Sequence, residues 1–393
     1  MSNIPPENKL DDQQREFLEK VEKGEIDNQN YWIRGFPGSG KSVLIAYTYK
    51  IIKRKNPKPN VLIVVYTHSL IKRFEADLEE MGIYDAKIVT YFQFRKSVEK
   101  YDYILSDEVQ DLTPSVLQEM KRRAKHIVVA GDENQSIFES DPFSGELTVS
   151  PNQINTLLYS KPFSLNIVHR LSSSIRSAVQ KLLPQINIFQ GQIDPMHTDT
   201  QIRLCEAYNN DEEVKYIVKE AKKAVNIGST VGVLISTQKG VLSFIQDVIR
   251  LEGNQQWNVQ LDKYGRPDYS DLNKYLESCR IPLQYVGNGY GNFNENIRKI
   301  CIMTYHSSKG LDFDNVFLPH LNNSLFIVPN EAICKTLFMV AMTRSRNNLY
   351  LTYNGYMHMY LKNIVSDCSC INIHDALNVQ QKPNNGGSIF AGF

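Results

Sequence analysis

Residues 35–42 constrain the fold of this chain more than any other part of its sequence. They read Gly-Phe-Pro-Gly-Ser-Gly-Lys-Ser, follow the apolar residues 31–34 and precede a helical stretch that runs to about residue 55. A strand, a glycine-rich loop ending in Lys-Ser, and a helix in this order are typical of a phosphate-binding loop. Its backbone N–H groups surround phosphate oxygens at the helix N-terminus, while the lysine adds charge and the serine hydroxyl can bind Mg²⁺. The segment predicts an α/β fold that binds ATP and Mg²⁺.

Short apolar segments alternate with amphipathic helical stretches along the chain, which predicts parallel sheets built from strand–helix–strand units. The predicted strands form two groups of four: residues 31–34, 61–66, 103–106 and 126–130, then 231–235, 300–304, 316–318 and 349–353. Residues 140–162, between the groups, are rich in Ser, Pro and Asn and are the candidate linker. We therefore predict two α/β lobes with parallel sheets flanked by helices, at residues 1–160 and 161–377. Residues 378–393 are expected to form a flexible tail.

A carboxylate pair, Asp107 and Glu108, directly follows the predicted strand at residues 103–106. In a chain with a phosphate-binding loop, Asp107 would bind Mg²⁺ together with Ser42, and Glu108 would orient or deprotonate the attacking water. Without the loop, the same pair would most simply be two solvated turn residues. The combination favours a site that hydrolyses ATP.

Further segments follow in an order that resembles the motifs of UvrD/Rep-type superfamily 1 helicases. Residues 10–14 (Leu-Asp-Asp-Gln-Gln) resemble the Q motif, residues 66–68 motif Ia, residues 106–111 (Ser-Asp-Glu-Val-Gln-Asp) motif II and residues 131–138 motif III. Residues 165–170 resemble motif IV, residues 304–314 motif V and residues 340–346 motif VI. The motifs span nearly the whole chain. The resemblance implies two RecA-like P-loop NTPase lobes with ATP bound between them.

The resemblance also implies roles for individual residues of the nucleotide site. The implied catalytic residues are Lys41, Asp107, Glu108, Gln135, Arg170 and Arg344, with Gln135 sensing the γ-phosphate and the two arginines contacting it from the second lobe. Ser42 and Asp107 are the implied metal ligands. The implied nucleotide-binding residues are Gln14, Gly35, Pro37, Gly38, Ser39, Gly40, Lys41, Ser42, Val43, His169, Gly310 and Asp312. Standing alone, either arginine would be interpreted as a surface ion-pair partner.

Three of these positions depart from the usual residue of the family. Val43 replaces an arginine that often stacks on adenine, and His169 stands where a tyrosine usually covers the other face. Asp312 replaces a glutamate near the ribose, which shortens the side chain by one methylene. We therefore expect weaker selectivity for the base of the nucleotide, for which Gln14 would read the adenine edge.

The resemblance places a second set of residues against single-stranded nucleic acid, with DNA favoured over RNA as the partner. They are Tyr66, Thr67, His68 and Phe138 of the first lobe, with Thr304 and His306 of the second. Aromatic stacking contributes about 1–3 kcal/mol per base and tolerates any sequence, which suits a protein that moves along arbitrary strands. Tyr66 is equally well interpreted as a buried tyrosine at the end of a strand.

Two further departures concern the grip on nucleic acid. Glu139, Ser140 and Asp141 follow Phe138, where the family usually has another aromatic residue and a basic one. The large insertions that family members carry in both lobes, called 1B and 2B, are almost absent. We therefore expect a protein partner to supply an accessory function, with residues 94–100, residues 288–296 and the C-terminal phenylalanines as candidate docking surfaces.

Composition limits the class of protein further. The formal net charge is +1, so binding to nucleic acid must depend on local patches rather than on a uniformly basic surface. The six cysteines form no CxxC pair, residues 1–10 lack the apolar core of a signal peptide, and no apolar run is long enough to span a membrane. We expect a reduced, cytoplasmic protein without membrane contact.

Three functions remain open from the sequence. The first is a nucleic-acid-dependent ATPase that translocates on a single strand, with 3′ to 5′ direction implied by the resemblance, and that unwinds duplex DNA in some contexts. The second is an ATP-gated nucleic-acid sensor that controls a partner effector such as a nuclease. The third is a small-molecule kinase, which the two downstream arginines and the motif V segment disfavour.

Overall fold

The structure is a computed structural model of the 393-residue chain. It describes residues 4–132, 136–169, 171–184, 192–193, 199–263, 265, 267–287, 289–291 and 298–378. Of the residues predicted to act at the site, Gln135 and Arg170 lie outside the described residues, as do residues 379–393 of the predicted tail and most of the predicted docking segment at 288–296.

The strands, in chain order, are β1 (Tyr31–Gly35), β2 (Val61–Val65), β3 (Lys87–Thr90), β4 (Tyr101–Ser106), β5 (Ala124–Gly131), β6 (Lys161–Leu165), β7 (Ile167–Val168), β8 (Gln192–Ile193), β9 (Gln201–Ala207), β10 (Val231–Ile235), β11 (Gln260–Leu261), β12 (Pro267–Asp268), β13 (Leu283–Tyr285), β14 (Ile300–Thr304), β15 (Phe313–Leu318), β16 (Ser345–Asn354) and β17 (Ser369–Asn372). The helices are α1 (Asp12–Glu22), α2 (Lys41–Lys55), α3 (His68–Glu80), α4 (Tyr91–Lys96), α5 (Pro114–Arg123), α6 (Pro151–Leu158), α7 (Ser173–Leu182), α8 (Asn210–Asn226), α9 (Gln238–Leu251), α10 (Leu272–Ser278), α11 (Glu331–Met342), α12 (Met359–Lys362) and α13 (Ile373–Asn378).

Two parallel sheets organise the chain. The first has the strand order β3-β2-β4-β5-β1-β6, and the second has the order β13-β14-β10-β15-β16-β9-β17. Each pairing between neighbouring strands in these two orders is parallel. The predicted α/β class, with parallel sheets flanked by helices, is confirmed.

Helices cover both faces of each sheet, which explains the continuous apolar runs of the central strands. Every residue of β2 and of β10 is buried. In the first lobe, α1, α2 and α3 pack on one face of the sheet, and α4, α5 and α6 pack on the other. In the second lobe, α8, α9 and α10 cover one face, while α7 and α11 cover the other.

The candidate linker at residues 140–162 belongs instead to the first lobe. Helix α6 packs against α5 through the buried side chains of Ile154 and Leu158. Strand β6 then pairs in parallel with β1, with Lys161 opposite Tyr31 and Leu165 opposite Gly35. The boundary predicted at residue 160 was therefore placed too early, because its Ser, Pro and Asn content is that of helix caps and turns inside a lobe. We place the boundary after Leu165.

In both lobes the predicted site residues can be related to the carboxyl ends of the parallel strands. The loops after β1, β4 and β14 leave the carboxyl ends of their strands and carry the phosphate-binding loop, the carboxylate pair and the motif V residues. Ligands of open parallel sheets bind at this edge. Among the described residues, no helix is long and apolar enough to cross a membrane.

Candidate functional site

The phosphate-binding loop connects β1 to α2 and places Lys41 at the first position of the helix. Lys41 Nζ donates hydrogen bonds to the carbonyl oxygens of Gly35 and Phe36, at 2.8 and 2.9 Å. Gly40 precedes the helix in the left-handed region, with φ of +87°, and a Cβ atom there would collide with the amide of Gln14. Only glycine fits this position without strain. The loop is therefore a compact turn with an ammonium group held at its centre.

The predicted Q motif packs against this loop. Gln14 is buried, and its Nε2 donates to the carbonyl oxygen of Ser39 at 3.0 Å. Its Oε1 accepts from the backbone N–H of Asp11, which completes the capping box of α1. His169 contacts the Asp11 carboxylate at 2.6 Å through Nε2 and donates its backbone N–H to the carbonyl oxygen of Gly38. Gln14 and His169 thus hold the loop, and their predicted contacts with adenine stay predictions.

Motif II supplies a carboxylate beside the loop hydroxyl. Ser42 Oγ donates to Asp107 Oδ2 at 2.6 Å. Burial, with a contribution from the charge of Glu108, raises the pKa of Asp107 to about 6. Burial opposes ionisation of Glu108 as well, but the charges of Lys309 and Lys41 outweigh it and lower the pKa of Glu108. The pKa values of the two neighbouring carboxyl groups are therefore shifted in opposite directions.

Glu108 also has an unusual backbone. Its φ is +56°, in the left-handed region that residues other than glycine rarely adopt. The side chain accepts a hydrogen bond from Gln110 Nε2 at 2.6 Å. Strained conformations of this kind persist where the surrounding structure enforces them, and they concentrate at functional sites.

A cleft between the two lobes joins these groups to the second lobe. It is lined by Pro37, Gly38, Gly40, Lys41, Ser42, Val43, Arg73, Glu108, Gly310 and Arg344. Arg344 is buried, and its guanidinium donates to the carbonyl oxygen of Val340 at 2.9 Å and to Thr343 Oγ1 at 3.0 Å. Its own lobe therefore holds Arg344 in position at the cleft. Asp312 is buried in the same lobe, with Arg346 Nη2 3.9 Å from its Oδ2.

Two basic residues that were not among the predicted site residues cross the cleft. Arg73, on α3, donates to the carbonyl oxygen of Gly310. Lys309 reaches back from the second lobe to pair with Asp111, and its Nζ lies 3.5 Å from Glu108 Oε2. The side chains of Arg73, Lys309 and Asp111 are each at most 6% exposed. Buried charges are retained when they are paired, so these contacts join the lobes directly at the nucleotide site.

Weak sequence signals for both residues exist. Arg73 and Asp77 are one helical turn apart and lie on the buried face of α3 beside Leu70 and Phe74, where charged residues are uncommon. Lys309 lies inside the segment that resembles motif V. In neither case does the sequence indicate which distant residue is the partner.

Two side chains connect motif II to motif III. Gln110 Oε1 accepts the backbone N–H of Asp132 at 3.1 Å, and Asp111 Oδ1 accepts the backbone N–H of Ile137 at 3.2 Å. Because Gln110 also binds Glu108, the carboxylate at the cleft and both ends of this segment share one hydrogen-bond network. Phe138 follows Ile137 directly, so the network ends beside an aromatic side chain that was predicted to contact nucleic acid.

Three of the predicted strand-binding residues form an aromatic stack that crosses from one lobe to the other. The ring centroids are 4.9 Å apart for Tyr91 and Tyr66, 4.4 Å for Tyr66 and Phe138, and 5.3 Å for Phe138 and His306. Burial, aided by the charge of Lys309, lowers the pKa of His306 to about 4, so the imidazole is neutral near pH 7. The structure adds Tyr91 to the predicted group and places Tyr66 inside the stack.

The remaining predicted strand contacts are less closely grouped. Thr67 caps α3, with its hydroxyl accepting the N–H of Leu70 at 3.3 Å, and His68 is exposed at the start of that helix. Thr304 ends β14 and its hydroxyl donates to Ser307 Oγ at 3.0 Å. Both hydroxyl groups are therefore committed to local turns.

Comparisons with known proteins agree with the motif pattern. A model of the AAA domain matches residues 18–141, and a model of the UvrD-like helicase C-terminal domain matches residues 259–356. No curated protein matches the chain significantly. One similar structure is the C-terminal domain of a possible DNA helicase from Lactobacillus plantarum WCFS1, with 11% identity, a TM-score of 0.34, and coverage of 51% of this chain and 98% of that one.

Another similar structure shows Pif1 helicases coordinating at forked double-stranded DNA, with 13% identity, a TM-score of 0.46, and coverage of 87% of this chain and 91% of that one. Both TM-scores lie below 0.5, so the assignment rests on the two family models and the motifs. The models match one segment in each lobe and together span more than half of the chain. The chain belongs to the UvrD/Rep-like superfamily 1 helicases.

Proposed function

We propose that this chain is a nucleic-acid-dependent ATPase that translocates on single-stranded DNA, with 3′ to 5′ direction by analogy with the UvrD/Rep branch. The observation that carries the proposal is the network from Glu108 through Gln110 and Asp111 to the segment that precedes Phe138. It joins the predicted hydrolytic carboxylate to the aromatic stack predicted to hold bases. Such a connection would let a bound strand act on the hydrolytic carboxylate.

The residues at the cleft fit Mg²⁺-ATP in charge and shape. Lys41 donates to backbone carbonyl oxygens that phosphate oxygens can replace, and Ser42 and Asp107 already place two oxygen ligands side by side. The glycine at position 40 leaves the loop backbone open. Mg²⁺-ATP would supply the transferable phosphoryl group and a metal charge that offsets the negative charge of the transition state.

Each protein group would then have a separate task. Lys41 would bind phosphate oxygens, Ser42 and Asp107 would hold the metal, and Glu108 would accept a proton from the attacking water. Arg344 would stabilise negative charge from the second lobe. Since this arginine and Glu108 belong to different lobes, hydrolysis would depend on closure of the cleft.

Strand-dependent ATP hydrolysis tests the proposal directly. The rate of phosphate release is measured for the purified chain alone and with single-stranded DNA, single-stranded RNA or duplex DNA. We expect strong stimulation by single-stranded DNA. A rate unaffected by all three would contradict the proposal and favour the small-molecule kinase.

Lys41→Ala provides the matched control for that experiment. Two charge-assisted hydrogen bonds to phosphate would be lost, each worth about 1.5–3 kcal/mol, so turnover should fall at least about 100-fold. Lys58→Ala, at an exposed lysine outside the cleft, should keep the wild-type rate. Turnover that survives Lys41→Ala would come from a contaminating ATPase or from another site.

The reduced insertions favour a second candidate function. Between motif Ia and motif II the chain contains only α3, β3 and α4 before β4 begins. An ATP-gated sensor that controls a partner effector, such as a nuclease, needs the motor core but no extended grip on duplex. In this alternative, the partner protein reads the closure of the cleft.

We expect the isolated chain to show strand-stimulated ATPase activity but little processive unwinding. Separating strands must offset about 1.4 kcal/mol of stacking per base-pair step, which requires a wedge or a grip on the duplex. A fluorescence assay on a duplex with a single-stranded tail measures the length unwound by the chain alone. Complete separation of a long duplex by the monomer would show that no partner is needed.

A further inference from the structure

A short hairpin at residues 139–148 follows the aromatic stack without a break. Ser140 and Leu147 form an antiparallel bridge, and the N–H of Thr148 donates to the carbonyl oxygen of Glu139 at 3.1 Å. The side chain of Asp141 accepts the N–H groups of Phe143 and Ser144 at 2.7 and 2.8 Å. Asp141 belongs to the segment in which a basic side chain was expected, and here it fixes the turn.

The turn holds Phe143 on the surface. This side chain is 66% exposed, although its ring centroid lies 4.7 Å from that of Phe92 on α4. The hairpin is anchored to the lobe through Glu146, whose carboxylate accepts hydrogen bonds from the backbone N–H and the hydroxyl of Ser115. An exposed phenylalanine on an anchored turn presents a ring at low conformational cost, since the turn is already ordered.

Two cationic side chains lie on the same helix as Phe92. Lys96 Nζ lies 4.2 Å from the centroid of Phe92, and both Lys96 and Arg95 are exposed. Arg95 interacts electrostatically with Tyr91 and Glu146, which places its charge near the hairpin. Rings flanked by cations are the combination that binds single strands, because bases stack while phosphates meet positive charge.

The position of these rings relative to the aromatic stack is the second argument. Tyr91, at one end of the stack, precedes Phe92 in α4, and Phe138, within the stack, begins the segment that leads to the hairpin. Both segments therefore lead from the stack to the contact between Phe92 and Phe143.

We propose that Phe92, Phe143 and Lys96 form an outer platform on which a base of single-stranded nucleic acid stacks, with its phosphate beside the cations. The outer platform supplies the ring and the charge that the sequence lacks in residues 139–141. It rests on the proposed strand-dependent function. A protein side chain would also pack on Phe143, but the lysine beside Phe92 and the continuity of this chain segment with the stack favour nucleic acid.

Binding of oligonucleotides of increasing length tests the outer platform. Fluorescence anisotropy is measured with fluorescein-labelled oligothymidylates for the wild type, Phe143→Ala and Phe143→Tyr. We expect Phe143→Ala to weaken binding of the longer oligonucleotides about 5- to 150-fold, the range for loss of one base–aromatic contact, and to leave the shortest ones unchanged. Phe143→Tyr, which keeps the ring, should bind like the wild type. Phe326→Ala, at a 58% exposed phenylalanine of the second lobe, is the matched control.

The contribution of the Lys96 charge is measured separately, from the salt dependence of binding. Lys96→Gln should reduce the dependence of the binding constant on salt concentration, because one fewer counterion is released from the strand. Equal affinity of Phe143→Ala and wild type at every length would overturn the outer platform and leave a protein as the occupant of this surface. Failure of the wild type to bind any strand would overturn both proposals. If Phe138→Ala lost binding while Phe143→Ala bound like the wild type, only the outer platform would be overturned.

Discussion

Replacing Arg344 with alanine is expected to lower the maximal rate of ATP hydrolysis by about 10³- to 10⁵-fold, with a much smaller change in ATP affinity. An arginine supplied by the second lobe acts mainly on charge that develops in the transition state, so its loss affects turnover more than binding. In the structure, Arg344 lines the cleft opposite the phosphate-binding loop and is held there by Val340 and Thr343. Steady-state kinetics and nucleotide-binding titrations separate the two effects.

The controls for this variant address folding and charge. Arg250→Ala removes an arginine of the same lobe that forms exposed ion pairs with Asp211 and Asp247, and it should retain the wild-type rate. A thermal unfolding curve for Arg344→Ala checks that the lobe stays folded after a buried guanidinium is lost. An unchanged maximal rate in a folded variant would mean that the two lobes do not share one catalytic site.

Glu108→Gln is expected to keep ATP bound but to slow hydrolysis by about 10²- to 10⁴-fold, the usual contribution of a general base. Glutamine has nearly the same shape and can still accept the hydrogen bond from Gln110, so the strained backbone at this position should be preserved. It cannot take a proton from water. Single-turnover hydrolysis and a nucleotide-binding titration on the same preparation measure both properties.

Asp107→Asn is the informative comparison for Glu108→Gln. Because Asp107 contacts Ser42, its loss should raise the Mg²⁺ concentration needed for activity, while Glu108→Gln should leave that concentration unchanged. If Glu108→Gln turned over ATP at the wild-type rate, another residue would have to activate the water.

The sequence predicted those parts of the fold that local chemistry determines. Helix α2 ends at Lys55, as expected from the loop and the periodicity that follow it, and β10 and β14 have the predicted bounds. In each case the pattern that gave the prediction lies within about one turn or one strand of the residues concerned.

Two of the missed strands, β6 and β17, have weak local patterns. β6 begins with Lys161 and Pro162, and β17 contains Ser369 and Asn372 at the edge of its sheet. Edge strands are half solvated, so their residues carry little apolar periodicity. Their place in the sheet depends on partners elsewhere in the chain, which local composition does not encode.

The residues of the candidate site likewise fall into those that local spacing predicts and those that depend on distant partners. The loop and the carboxylate pair were located by spacing, whereas Lys309 contacts a residue 198 positions away and Arg73 contacts one 237 positions away. Such pairs form only when the two lobes meet. The ring on Phe143 was missed for another reason, because the family pattern directed attention to residues 139–141, just before it.

The hydrogen bond between Asp111 and the N–H of Ile137 has a thermodynamic consequence. If a strand bound at Phe138 raises the affinity for ATP through this bond, ATP must raise the affinity for the strand by the same factor, because binding free energies are reciprocal. A tenfold effect in one direction, about 1.4 kcal/mol, is a tenfold effect in the other. Release of the phosphate would then lower the affinity for the strand by that factor. The nucleotide cycle would therefore determine when the chain releases the strand.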